Sequence, residues 1–340
     1  MSNIIIPRQR KIQVVEHDSL GVRGYLAGFI QIEKAKCDLN GEEVKGSRRI
    51  EVPWFHNVIT DYGMDRKGMG NMGRGCVLGT GTSPITTTSL TLGSTLGKNN
   101  SIVNMSFQDF NDYGLQVASS PYYGWCRGIY RFNAGNCTGV LSEVGLTVDG
   151  AAGVHDIVAG SLIKDALGNP VTITKDVDEL LDISYEVRIY AKMTDDTYVV
   201  NINGVDHTFT TRAQCTHAND WGRYSLNSQS LEAGFLYRGA TLANIGSITQ
   251  ELQGTVENTQ ISPFSGDSVA YSPYVPGTYF LERTFTIPPA RANFTGGISG
   301  ISLRTGVGAY KTVVSPAIPK VLGSTLLFRS RDYWSRYTLP

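Results

Sequence analysis

Residues Tyr185–Lys192 alternate strictly, with Tyr185, Val187, Ile189 and Ala191 on one side and Glu186, Arg188, Tyr190 and Lys192 on the other. A repeat of two is the side-chain period of a strand and does not fit a helix of 3.6 residues per turn. A strand with two distinct faces is therefore predicted. Close behind it, Tyr198–Ile202 and Val205–Phe209 flank Asn203-Gly204. That pair tolerates the positive φ angles of a type I′ turn, so a β-hairpin is predicted. Almost nothing elsewhere carries a helical repeat. Glycine is abundant, 38 of 340 residues, and Tyr (17) outnumbers Phe (12). Glycine serves turns, and Tyr and Thr suit pleated surfaces. The expected class is all-β: two tandem antiparallel β-sandwich domains, 51–195 and 196–340, behind an N-terminal arm and hairpin over 1–50.

Along the chain, Ile12–Val15 and Gly28–Cys37 read as strands, the second followed by an Asn40-Gly41 turn. The arm carries Arg8, Arg10 and Lys11. Trp54–Ile59 fits a short helix or a buried strand. The glycines at 63, 68, 70, 73 and 75 predict a loop over 63–75. Cys76–Leu78 and Gly128–Phe132 are expected core strands, and the Thr/Ser-rich stretch Thr82–Asn100 a surface connection. Ser161–Lys164 and Val171–Thr174 are expected strands around a turn at Gly168-Asn169-Pro170. Thr138–Leu146 and Thr295–Leu303 share the pattern Thr-Gly-x-(Leu/Ile)-Ser-x-(Val/Ile)-x-Leu, which suggests that the second sandwich is a related copy of the first.

Lys plus Arg (30) equals Asp plus Glu (30), and only 18% of residues are charged. This balance argues against a nucleic-acid partner and favours association between chains. Five cysteines, at 37, 76, 126, 137 and 215, are odd in number and irregularly spaced, so reduced thiols are expected. No leader peptide and no membrane span are expected, because no apolar run is long enough for either.

Few motifs suggest chemistry. Gly68-Met69-Gly70-Asn71-Met72-Gly73 matches the dinucleotide pattern in letters. That pattern needs a strand before it and a helix after it, whereas a polar loop and a strand are expected here. His207, Cys215, His217 and Asp220 are zinc-ligand types without zinc-site spacing. Asp176, Asp178, Glu179, Asp182 and Glu186 form the densest acidic run and read as a solvated turn; two facing carboxylates would be needed for glycoside hydrolysis. The aromatic clusters Tyr122-Tyr123-Gly124-Trp125 and Tyr333-Trp334 suit core or subunit contacts better than sugar stacking. Arg329, Arg331 and Arg336, with the basic arm, are candidates to dock on segment 176–186 of a neighbour. No residue is singled out as catalytic, cofactor-binding or metal-ligating.

Five segments in order resemble structural proteins of tailed bacteriophage virions, of the tail, baseplate or collar-appendage class. Trp54–Asp65 is similar to their "N-x-I-T-D-x-G-L-D" opening, and Leu78-Gly79-Thr80-Gly81-Thr82-Ser83-Pro84 to "V-G-T-G-x-x-x-P". Tyr130-Arg131-Phe132 with Leu141–Leu146 resembles "x-R-x-F" followed by "I-S-E-V-G-L". Ser161–Asp165 with Gly168–Ile173, and then Leu181–Arg188, complete the series. The resemblance covers residues 52–190. It implies a β-sandwich module in a symmetric assembly, without cofactor or catalysis, located in the virion. Its partners would be copies of itself and other tail, neck or baseplate proteins. The alternative is a receptor-binding tail adhesin that recognises a host surface glycan or protein. In the motifs, Asn57 and Asp61 are expected to satisfy turn amides, Gly63 to supply a positive φ, and Glu143 to pair with a basic side chain.

Overall fold

The computed structural model describes residues 12–15, 21–70, 72–73, 75–99, 102–103, 112–148, 156–218, 221, 234–261, 268–320 and 322–338. The chain is all-β. In order the strands are β1 (Ile12–Val15), β2 (Gly21–Lys36), β3 (Arg49–Ile59), β4 (Gly75–Gly79), β5 (Thr95–Asn99), β6 (Ile102–Val103), β7 (Tyr113–Gln116), β8 (Tyr123–Phe132), β9 (Gly139–Leu141), β10 (Glu143–Thr147) and β11 (Ile157–Leu162). They continue with β12 (Ile173–Lys175), β13 (Glu179–Ala191), β14 (Asp196–Ile202), β15 (Val205–Ala213), β16 (Gly234–Arg238), β17 (Thr255–Ile261), β18 (Ser268–Tyr271), β19 (Phe280–Ile287), β20 (Ile298–Thr305), β21 (Gly308–Ile318) and β22 (Thr325–Arg336). Helix α1 (Asp61–Gly68) lies between β3 and β4.

A 14-stranded sheet follows the order β18-β19-β22-β2-β3-β11-β10-β4-β5, and the other edge of β2 carries β13 and then β8. A six-stranded sheet has the order β14-β15-β21-β20-β16-β17, and β9 pairs with β12 alone. Pairings are antiparallel except that β1 and β2 both run parallel to β22.

Two cores form. The larger is enclosed by β2, β3, α1, β4, β8, β10, β11 and β13, with Ile30, Ile32, Leu78, Phe132, Val144, Ile183 and Val187 fully buried. The second lies between the six-stranded sheet and strands β19 and β22, with Phe209, Leu236, Ile298, Ile318 and Leu326 inside. The pairing does not divide at residue 196, because β19 and β22 are bonded into the sheet that contains β2 and β13. β22 crosses from one core to the other: Leu326 and Phe328 face the second, and Trp334 faces the first.

A polar seam marks the crossing. Buried Asp332 accepts a hydrogen bond from Arg283, which lies on β19 between Leu281 of one core and Phe285 of the other. Fully buried Lys67 of α1 donates to the Gly306 carbonyl at 2.6 Å. Burial pulls the Lys67 pKa down to about 7, against the attraction of Asp332. The same burial pushes the Asp332 carboxyl up, with Arg283 opposing.

The alternation is realised over Tyr185–Ala191 in β13, a strand buried on both faces except at Arg188. The hairpin turn has Asn203 at φ +53° and Gly204 at φ +82°, both positive as its type requires. Trp54–Ile59 is strand. The loop expected at 63–75 is instead α1 up to Gly68. Thr60 caps the helix, its hydroxyl accepting from the Gly63 amide at 3.0 Å and donating to the Ile157 carbonyl at 2.7 Å. Here one cap and a tertiary contact outweigh the glycine cost. Gly63 is not at a positive φ; a Cβ there would meet the Val158 carbonyl oxygen at 1.9 Å, so close packing requires the glycine. The end of the Thr82–Asn100 connection is a strand, β5. The two similar nine-residue segments are used differently. Thr138–Leu146 is split between β9 and β10, in separate sheets, whereas Ile298–Leu303 lies in the single strand β20.

Candidate functional site

β13 is flanked along its length by β2 and β8, and alternation sends its residues to two different environments. Leu181, Ile183, Tyr185, Val187 and Ile189 enter the larger core. Asp182, Ser184, Glu186 and Arg188 point to the opposite face. The register lines this face up in rows: Arg131–Asp182–Glu33, then Ile129–Ser184–Gln31, then Arg127–Glu186–Phe29–His56, then Trp125–Arg188–Ala27.

The carboxylates in these rows are held by guanidiniums. Arg131 donates to both oxygens of Asp182, at 2.8 and 2.7 Å, and Arg48 adds a third bond at 2.7 Å. Glu186 accepts from Arg127 at 2.8 Å and from Arg188 at 2.6 Å. Asp182 and Glu186 are only 4% and 3% exposed, while the arginines remain partly open to solvent. Burial alone would raise the Asp182 pKa, but the Arg131 and Arg48 bonds outweigh it and hold the carboxyl below its ordinary value.

Aromatic rings flank two of these arginines. Arg188 lies 3.8 Å from the Phe29 centroid and 4.7 Å from that of Tyr123. Arg127 lies 5.0 Å from a Trp54 ring and 4.9 Å from a Trp125 ring. His56 meets Phe29 edge-on at 5.5 Å, and burial, with Lys164 second, keeps its pKa low. The face therefore offers planar guanidiniums and half-buried rings, the side chains that dominate protein interfaces. On it Asp182 is held ionised by Arg131 and Arg48, and Glu186 accepts from two guanidiniums.

The acidic run thus does not form a solvated turn. Asp176 and Asp178 are exposed, but Glu179, Asp182 and Glu186 are buried in β13. Glu179 lies 3.6 Å from Lys34 and 3.4 Å from Arg49. The basic C-terminal residues have their own partners: Arg331 bonds Glu282, and Arg336 bonds Asp61. Arg8, Arg10 and Lys11 lie outside the described residues. Of the aromatic clusters, Tyr123 and Trp125 belong to the face. Trp334 is core, donating to the Met64 carbonyl at 2.9 Å and stacking on Tyr274.

Gly68–Gly73 runs from the end of α1 towards β4, a helix-then-strand order opposite to that of a dinucleotide site. His207 is buried, with its Nδ1 2.7 Å from the Pro316 carbonyl oxygen. Burial pushes the Cys215 thiol up to about 12. His217 faces Glu251 at 3.7 Å, and Asp220 lies outside the described residues. Among the described residues no three His, Cys, Asp or Glu side chains converge as a metal site, and no helix is long and apolar enough to cross a membrane.

Two motif segments meet at Glu143. Among the described residues it pairs with no basic side chain. Its carboxylate accepts from the amides of Gly81 (2.8 Å), Gly93 (2.9 Å) and Ser94 (2.8 Å), and Ser142 donates to the Gly81 carbonyl at 2.6 Å. Asn57 is buried against Gly28 and Tyr185 and serves no turn amide; Thr60 does that instead.

Sequence reasoning missed Phe29, Glu33, Arg48, His56, Arg127 and Arg131 as members of one face. The period-two run Tyr123, Trp125, Arg127, Ile129, Arg131 in β8 was the available signal. No protein-family model, no curated protein and no solved structure matches the chain.

Proposed function

We propose that the chain is a non-enzymatic structural component of a phage tail, neck, collar or baseplate, assembling with copies of itself and with other virion proteins. The observation that carries this reading is the outer face of β8–β13–β2–β3. Its buried carboxylates are paired with arginine, and its partly open chemistry is guanidinium and aromatic surface, suited to contact. The resemblance over residues 52–190 supplies the virion context. The test is mass spectrometry and immunogold labelling of purified virions of the encoding phage, using antibody against the recombinant chain. Label at the neck, along the tail or on the baseplate is expected. Absence of the chain from virions overturns the reading.

A second reading, a receptor-binding adhesin, is favoured by a different observation. A cleft of about 330 Å³ on the six-stranded sheet is lined by the hydroxyl residues Thr208, Thr210, Thr241, Ser299 and Ser315 and by aliphatic side chains such as Leu242 and Val313, with no charged side chain. That lining suits a neutral sugar. Label confined to distal tips, together with binding in a glycan screen, would select this reading.

A further inference from the structure

An outermost strand presents a row of N–H and C=O groups to any extended chain, and native proteins blunt such edges. Most edges here are blunted. The β17–β16 ladder is broken between Phe235 and Tyr237. β18 and β7 have four residues each, and β6 has two. The β5–β4 ladder shifts at Leu78/Gly79. The part of β3 outside its pairing with β11 holds Pro53 between Arg49, Glu51 and Trp54.

β14 carries one charge, Asp196 at its first position, ion-paired with Lys192, and none of the other devices. Its sequence, Asp-Thr-Tyr-Val-Val-Asn-Ile, lacks Pro and Gly, and its ladder to β15 is unbroken from Asp196 to Ile202. Among the described residues it pairs with β15 alone. Val200 and Ile202 anchor it in the second core, with Tyr198 packed alongside. Thr197, Val199 and Asn201 face outward, and Val199 is 53% exposed.

We propose that the β14 edge is a self-association site, pairing antiparallel with β14 of a second copy about a two-fold axis at Val199. The occupant follows from the other edges. With those blunted, the edge of another copy that matches β14 in length and regularity is β14 itself, and pairing of identical edges is isologous. In this register Val199 faces Val199, Tyr198 faces Val200, Thr197 faces Asn201 and Asp196 faces Ile202. No like charges oppose, and β-branched residues meet at the centre. The two six-stranded sheets would become one. This inference rests on the homo-oligomer reading and narrows it to a two-fold contact.

The experiment is sedimentation equilibrium of the full-length chain and of Val199→Lys, with circular dichroism to verify that the variant keeps its β signature. The expected result is a wild-type dimer, weakened by about tenfold or more in Val199→Lys because two ammonium groups then face each other at the axis. In a Cys137→Ser background, Val199→Cys should cross-link to itself on mild oxidation. Thr197→Cys should cross-link only when mixed with Asn201→Cys. A wild-type oligomer insensitive to Val199→Lys and without the Val199→Cys cross-link overturns this inference alone. A monomeric wild-type chain overturns both it and the homo-oligomer reading.

Discussion

Glu143 shows how much one side chain can organise. It is fully buried, and its carboxylate closes three backbone amides of the 80–94 connection. The Gly81 amide is buried, whereas Gly93 and Ser94 are exposed and water can reach their amides. A buried donor left without an acceptor costs about 1–3 kcal/mol, so Glu143→Ala should lose about that much, read as a lower urea midpoint at constant slope. Glu143→Gln should lose less, since one carbonyl oxygen still accepts. The residue and its neighbouring glycines were visible in the sequence, but their connection was not. A carboxylate that accepts only from backbone amides leaves no partner side chain for a sequence pattern to reveal.

At the scale of elements, β13 is where a two-residue period decides most. One face builds the core, and the other builds a layer of arginine, carboxylate and aromatic side chains. Asp182 has a depressed pKa, so it contributes stability that is present above the unfolded carboxyl value and is lost as pH falls through the lower folded one. The acid limb of a stability–pH curve should therefore flatten in Asp182→Asn. At neutral pH that variant should lose about 2–3 kcal/mol, less than a fully buried pair would, because Arg48 and Arg131 are partly solvated. An Asp182→Asn curve parallel to wild type below pH 4 would contradict this. Helix α1 teaches the opposite lesson. Its glycines argue for a loop, and only the Thr60 cap and the packing against Val158 make it helical.

Across the whole molecule, the two cores share strands β19 and β22 and meet at Lys67, Arg283 and Asp332. Calorimetry should therefore show a single unfolding transition, since neither core keeps its sheet without the other. Two resolved transitions would contradict this. The seam also predicts a pH dependence. Lys67 titrates near 7 when folded and near 10.5 when unfolded, so the unfolded chain holds more protons between those values and stability rises with pH across that window. Lys67→Met should remove that slope, compared with wild type by urea midpoints from pH 7 to 10. An unchanged slope would show that another group carries it. The sequence by itself determined the all-β class, the β13 alternation and the Asn203-Gly204 hairpin. Each of these depends on local sterics and side-chain period, which a few neighbouring residues fully express. Tertiary structure alone decided that β22 runs parallel to β2 and joins the two cores. It also decided that acids read as a solvated turn lie buried under arginines, and that residues from β3, β2, β13 and β8 form one face. Those outcomes depend on register between strands far apart in the chain, and register is set by how the cores pack.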